Sequence, residues 1–388
     1  MVRGETMRLI CLLLILSVIL CGCSASQPPA ETLPISPETS PSAPAETTPP
    51  TTLPPDPVEE LLAGMTVVEK VGQLFLARCP DGGAVEDIET YHLGGYILFG
   101  RDFEGETPDS LSETLANYQA AADVPLFIAV DEEGGTVCRV SRYDAFRHSL
   151  FPSPRELYDM GGLELALAVE GEKALLLNSL GINVNMAPVC DVTTEPSSFM
   201  YRRSLGQSPE ITGEFAAGAA ETMAKHKVGS VLKHFPGYGN NTDTHPGIAV
   251  DDRFLEELEA RDLVPFAAGI DAGCGAILVS HTIVNALDPE LPASLSPAAH
   301  EYLRVVMGFD GVIVTDDLVM QAITDRYGAG EAAVLAVLAG NDLLCSTEYQ
   351  TQYQAVLEAV QTGRIPMELL DTAVTRLLRW KQTLELIV

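Results

Sequence analysis

The chain has 388 residues, enough for one large domain or two small ones, and its 46% hydrophobic content is ordinary for a globular protein. Its charge is not: 23 Lys and Arg against 54 Asp and Glu leave a formal net charge of −31. A surface this acidic repels phosphate backbones and anionic bilayers, which excludes nucleic-acid binding and electrostatic adsorption to membranes.

At the N-terminus, Arg3 and Arg8 precede an apolar run from Leu9 to Leu20. That run is short for a membrane span and the right length for a signal-peptide core. It ends Leu20-Cys21-Gly22-Cys23, which resembles the bacterial lipobox. Residues 1–23 are therefore expected to be a lipoprotein signal, with Cys23 lipidated as the new N-terminus. The alternative is an ordinary secretory signal or an uncleaved anchor. Each exports the chain, and the lipobox places it on the outer face of a bacterial cytoplasmic membrane or on a periplasmic leaflet. Residues 24–57 carry 11 prolines among Ser, Thr, Ala and Glu. No core can form from such a composition, so the stretch is expected to be a disordered, PPII-like tether. At about 3.1 Å per residue it reaches roughly 100 Å.

Residues 58–388 are expected to fold as one domain. Candidate strands are 95–99, 126–130, 182–187, 228–232, 276–279, 312–314 and 342–344. Candidate helices are 58–77, 110–122, 164–180, 209–225, 254–269, 297–306, 331–339 and 366–386. Such alternation predicts an α/β fold with a parallel sheet. The strands end in turn on Gly100-Arg101, Asp131, Pro188 to Asp191, Lys233-His234, Ser280-His281, Thr315-Asp316 and Ser346. Polar residues at successive strand ends suit the mouth of a TIM-type (β/α)8 barrel. An open doubly wound sheet is the alternative, but no Gly-rich nucleotide fingerprint supports it. Cys79, Cys138, Cys190, Cys274 and Cys345 are scattered without C-x-x-C spacing, so neither a disulfide framework nor a zinc site is indicated. No metal or other cofactor is expected.

Three stretches carry chemistry. Gly311 to Asp317 runs from small and apolar residues into two carboxylates. A carboxylate there can attack an anomeric carbon, or it can cap the next helix; Asp317 suits the cap and Asp316 the site. Asp131 to Arg139 places an acid and a returning arginine around two glycines, suited to sugar hydroxyls or to a salt-bridged turn. Lys233 to His245 holds a cation, two imidazoles and an Asp-x-His pair, Asp243 and His245, on a glycine-rich loop. A histidine oriented by a carboxylate can give and take a proton near neutrality. Metal binding by His234, Asp243 and His245, or a merely structural turn, is the competing reading; no H-E-x-x-H run favours the metal. Gly237, Gly239 and Gly247 would supply hinges.

Taken together these segments resemble glycoside hydrolase family 3, within it the β-N-acetylglucosaminidases of peptidoglycan turnover. The resemblance spans nearly all of the chain beyond the tether. It rests on Met65–Phe75, Gly94–Phe99, Asp131–Arg139, Gly181–Asp191, Arg203–Gly206, Lys233–His245, Leu291–Pro297 and Gly311–Met320, in the family's order. It implies Asp316 as the nucleophile, Asp243 and His245 as an acid/base dyad, and Asp131, Arg139, Arg203, Lys233 and His234 as ligands of the sugar. It implies a retaining, exo-acting β-N-acetylhexosaminidase that takes a β-GlcNAc-terminated glycan, a muropeptide above all. Tyr238 and Thr136 depart from the family's usual histidine and arginine, and the catalytic loop is about one residue short. Phosphorolysis is a second reading, since a neutral imidazole does not repel phosphate. A sugar-binding lipoprotein that has lost catalysis is a third.

Overall fold

A computed structural model describes residues 56–239 and 247–387. The expected signal, Cys23 and the tether before Asp56 lie outside the described residues, as do Asp243 and His245.

Eight parallel strands form the centre: β1 (Phe75–Arg78), β2 (Gly95–Leu98), β3 (Phe127–Val130), β4 (Val184–Asn185), β5 (Gly229–Phe235), β6 (Ala276–Val279), β7 (Val312–Thr315) and β8 (Leu344–Ser346). Neighbours in sequence are neighbours in the sheet, and β8 pairs with β1. A parallel bridge from Val314 to Leu343 joins β7 to the approach of β8 and closes the ring. At least one helix follows every strand, from Ala84–Tyr91 after β1 to Tyr349–Gln361 after β8. With helices outside and side chains filling the inside, most strand residues are buried, as in parallel sheets covered on both faces. The architecture is the expected (β/α)8 barrel.

Strand β1 overturns one expectation. A single helix was predicted over 58–77, whereas the chain forms helices Pro57–Gly64 and Val67–Gln73 and then enters the barrel. Thr66 restarts the helix through a capping box: its hydroxyl accepts from Glu69 N at 3.3 Å, and the Glu69 carboxylate accepts from Thr66 N at 2.6 Å. Beyond it the apolar run from Leu74 to Ala77 suits a buried strand as well as a buried helix. Pairing with β8 and β2 on either side decides for the strand. The helix expected over 254–269 likewise divides, into Leu255–Ala260 and Leu263–Asp271, with the buried Asp262 at the break. Helices Ala84–Tyr91, Gln321–Tyr327 and Tyr349–Gln361 were not anticipated.

Candidate active site

The C-terminal strand ends surround a cavity of about 540 Å³ lined by Asp131, Arg139, Arg203, Lys233, His234 and Asp316, among others. All six described residues of the predicted site therefore meet in one place, although they are spread over 186 positions of sequence. Asp131 follows β3. Arg139 returns to the cavity through a small antiparallel hairpin, Glu132–Gly134 with Val137–Cys138. Lys233 and His234 lie near the end of β5, and Asp316 follows β7 directly. A larger cavity of about 890 Å³, between Gly229, Gly275, Gly311 and Trp380, opens at the opposite end of the barrel. It contains none of the predicted residues, so size does not identify the site here.

A chain of alternating charges runs round the wall. Arg139 lies 3.7 Å from Asp131, and Lys233 Nζ donates to Asp131 Oδ1 at 2.7 Å. The same ammonium lies 2.6 Å from Glu133 Oε1, and Arg203 grips Glu133 with two bonds of 2.9 and 2.7 Å. Such paired, charge-assisted contacts are the strong ones. Burial opposes the charge on Glu133, yet Lys233 and Arg203 outweigh it and hold the carboxyl far below the usual carboxylate range. Burial likewise opposes the charge on Lys233, but Asp131 and Glu133 raise its pKa overall. Glu133 and Lys233 therefore stay ionised near neutrality.

His234 sits next in the chain. Its Nδ1 is 2.8 Å from Asp191 Oδ2, and its Nε2 is 3.2 Å from Arg203 Nη2. A carboxylate only accepts and a guanidinium only donates. The network therefore assigns the proton to Nδ1 and leaves Nε2 as acceptor. Asp191 also accepts from Tyr238 N at 2.8 Å, and the Tyr238 ring meets those of His234 and Phe199 edge-on. This fixes the start of the glycine-rich loop.

Asp316 and Asp317 divide their work differently from the expected site-and-cap. Asp316 lines the cavity, and its Oδ1 accepts from Asp317 N at 2.9 Å. Asp317 caps no helix, because the next one begins at Gln321. Its carboxylate instead accepts from Thr347 Oγ1 at 2.6 Å and from the amides of Thr347 and Val319, tying the β7 and β8 loops together. His281, between Ser294 Oγ at 2.7 Å and the Asp317 carbonyl at 3.0 Å, supports the same junction.

Gly237 and Gly239 adopt φ of +111° and +58° and pack tightly. A Cβ at Gly237 would meet Asp262 at 2.7 Å, and one at Gly239 would meet the Arg253 guanidinium at 2.5 Å. Their lack of a side chain thus serves close packing as well as turning. Gly247 has open space around it.

Among the lining residues not chosen from the sequence are Glu133, Arg78 and Phe99. Glu133 had a usable signal, standing two positions from Asp131 and so on the same side of an extended chain. Arg78 closes the strand that was read as helix. Among the described residues, Glu69, His92 and Asp123 form a cluster whose possible metal-ligand atoms lie within 4.8 Å of one another. They precede strands rather than follow them, outside the cavity.

The model of the "Glycosyl hydrolase family 3 N terminal domain" matches residues 66–380. The beta-hexosaminidase LpqI of Mycobacterium tuberculosis is 33% identical over 326 residues, covering 81% of this chain and 82% of its own. A beta-hexosaminidase of Nitrosomonas eutropha is 36% identical over 288 residues, covering 70% and 81%. Among solved structures, that of M. tuberculosis LpqI superposes with a TM-score of 0.76 at 31% identity, covering 84% of this chain and 96% of the other. A glycoside hydrolase family 3 beta-N-acetylglucosaminidase from Paenibacillus sp. superposes with a TM-score of 0.78 at 35% identity, and this chain spans 63% of its length.

Proposed function

The chain belongs to glycosyl hydrolase family 3, and from that premise we propose that it is an exo-acting β-N-acetylhexosaminidase releasing terminal β-linked GlcNAc with retention of configuration. One observation carries this reading: a carboxylate at the end of β7 shares a cavity with a ring of charged hydrogen-bonding groups suited to sugar hydroxyls. In the first step Asp316 attacks the anomeric carbon while His245, protonated, gives its proton to the departing glycosidic oxygen. In the second, neutral His245 takes a proton from water, which displaces the Asp316 carboxylate and frees the sugar. Asp243 orients the His245 ring. Asp131, Arg139, Arg203, Lys233 and His234 hold the hydroxyls and the ring of the sugar in place, so that binding energy is realised as alignment. Because the enzyme supplies the nucleophile, the substrate's acetamido oxygen does not have to.

The wider setting follows from the sequence. Cys23 carries a lipid anchor, the Pro-rich tether lets the barrel reach into a surface polymer, and peptidoglycan fragments ending in GlcNAc are the natural substrate. The test is hydrolysis of aryl β-GlcNAc against aryl β-glucoside, with Asp316→Asn as control. The glucosaminide should be strongly preferred, and the variant should lose on the order of 10⁴-fold in kcat. A preference for the glucoside would overturn the substrate, and an unimpaired variant would overturn the mechanism.

A further inference from the structure

Lys173 lies in the interior of the long helix Pro154–Ser179, which packs behind the hairpin strand Glu132–Gly134. Its side chain is 0% exposed, and that of Glu170, three residues earlier, is 2% exposed. The ammonium donates to Glu170 Oε1 at 2.6 Å and to the Glu133 carbonyl at 2.6 Å. The other oxygen of Glu170 is buried with no hydrogen-bond partner among the described residues. Two charges are thus taken out of water for a contact that uses half of the carboxylate. A buried ion pair of this kind is often no more stabilising than two well-packed apolar side chains of similar volume. What the pair does supply is a charged donor aimed at the backbone of the active-site wall.

That backbone is held from both directions. Upstream, the Asn185 side chain brackets Glu132: its Oδ1 accepts from Glu132 N at 3.0 Å, and its Nδ2 donates to Glu132 O at 3.2 Å. Downstream, Gly134 and Gly135 turn the chain with φ of +100° and +62°. The Glu133 carbonyl stands at the junction, and Lys173 anchors it there. Gly134 makes the approach possible, since a Cβ would meet Pro152 O at 2.3 Å and Lys173 Nζ at 3.5 Å. The Glu133 carboxylate in turn lies 2.6 Å from Lys233 Nζ and bonds Arg203 at 2.9 and 2.7 Å. A shift of its backbone therefore displaces the counter-ion of two cations that face the cavity. Lys173 does not itself line that cavity. We propose that Lys173, paired with Glu170, is a positioning residue of the active site. It acts through Glu133, whose carboxylate sets Lys233 and Arg203 for the hydroxyls of the sugar. The inference rests on the hydrolase reading above.

The experiment replaces the pair as a unit. Lys173→Met combined with Glu170→Leu keeps apolar bulk at both positions and strands neither charge, so its melting temperature should match or exceed that of wild type. Its KM for aryl β-GlcNAc should nonetheless rise about tenfold with kcat within about twofold, because binding groups moved slightly out of place lose much of their effect. Glu170→Gln alone gives the opposite order: it leaves the ammonium without its counter-ion and should melt lower, yet Lys173 still reaches Glu133 and KM should stay within about twofold of wild type. Action through Glu133 is read from coupling: in the paired variant Glu133→Gln should raise KM less than about twofold further, against about tenfold when made alone. A crystal structure of the paired variant should show the Glu133 carbonyl displaced. An unchanged KM with Glu133 in its original place would overturn the proposal. So would a KM that simply follows melting temperature across the variants, or a Glu133→Gln effect of equal size in both backgrounds. Failure of wild type to cleave aryl β-GlcNAc would instead remove the hydrolase reading, and the position of Glu133 in the paired variant would still decide the anchoring role of Lys173.

Discussion

Glu133 joins two of the residues the sequence singled out, Lys233 and Arg203. It is buried, it shares Lys233 with Asp131, and it holds the Nε–Nη2 edge of the Arg203 guanidinium with both oxygens. Glu132 beside it does a different job: its carboxylate accepts the amides of Arg139 and Val140 at 2.9 and 2.8 Å, which anchors the return of the hairpin. Lys173 Nζ donates to the Glu133 carbonyl at 2.6 Å and fixes the strand between them. Removing the charge of Glu133 would leave two cations facing each other with one fewer counter-ion. Breaking a buried pair from one side costs about 3–5 kcal/mol. Glu133→Gln should therefore melt several degrees lower and raise KM for aryl β-GlcNAc about tenfold, roughly 1.4 kcal/mol, with a smaller change in kcat. A fall in kcat at unchanged KM would show that Glu133 acts in the chemistry rather than in holding the sugar's ligands. The sign of its pH dependence also follows. The folded pKa lies below the unfolded one, so this stabilisation is complete at neutral pH and drains away as pH falls below about 4.

At the scale of elements, the residues on either side of 240–246 are tied to one arginine. Arg253 bonds Asp251 through Nε at 3.0 Å and Nη2 at 2.6 Å, Asp262 through Nη1 at 2.5 Å, and the Gly237 carbonyl at 3.5 Å. Gly239 packs on the same guanidinium. The acid/base dyad of the proposed mechanism lies between these two clamped ends. Arg253→Ala leaves Asp251 and Asp262 buried without their cation. It should lower the melting temperature and reduce kcat on aryl β-GlcNAc more than it alters KM, with partial rescue by Arg253→Lys. Equal kcat in the alanine variant would show that the clamp does not position the loop. The sequence displays the loop itself plainly, because histidines, glycines and an Asp-x-His pair are conspicuous residue types. The clamp is not legible there, since its members are ordinary charged residues whose meaning is a contact. Asp262 interrupts a stretch of helical periodicity, and only its bond to Arg253 explains the break. Strand β1 is hidden for a related reason: four buried residues after a helix look like more helix until neighbouring strands claim them. Seven strands and the mouth were readable because polar residues at strand ends are a pattern along the chain. Arg78 was lost with the eighth.

At the scale of the whole molecule the barrel has two differently built ends. Charged groups line the mouth, while helix Met367–Thr383 covers the N-terminal end with Trp380 against Phe127 at 4.7 Å between ring centroids. Gly229 and Gly275 make room for that indole, since a Cβ there would approach it within 2.6 and 2.1 Å. Beside it lies Lys381, fully buried, its ammonium 2.6 Å from Gln73 Oε1 and 4.9 Å from the Phe127 ring centroid. No carboxylate among the described residues pairs with it, and burial pushes its pKa down from 10.5 to about 7. The unfolded chain binds this proton more tightly than the folded one, so stability rises with pH between about 7 and 10. Below pH 7 the cost reaches roughly 5 kcal/mol at most, at 1.36 kcal/mol per unit. Lys381→Met keeps the stem and removes the charge. It should unfold at higher urea than wild type at pH 6.5, and the gap should narrow toward pH 10. Because chemistry belongs to the other end of the barrel, kcat on aryl β-GlcNAc should stay the same. Identical pH slopes for the two proteins would mean that Lys381 keeps an ordinary pKa despite its burial, with solvent or an acid reaching it from below the barrel.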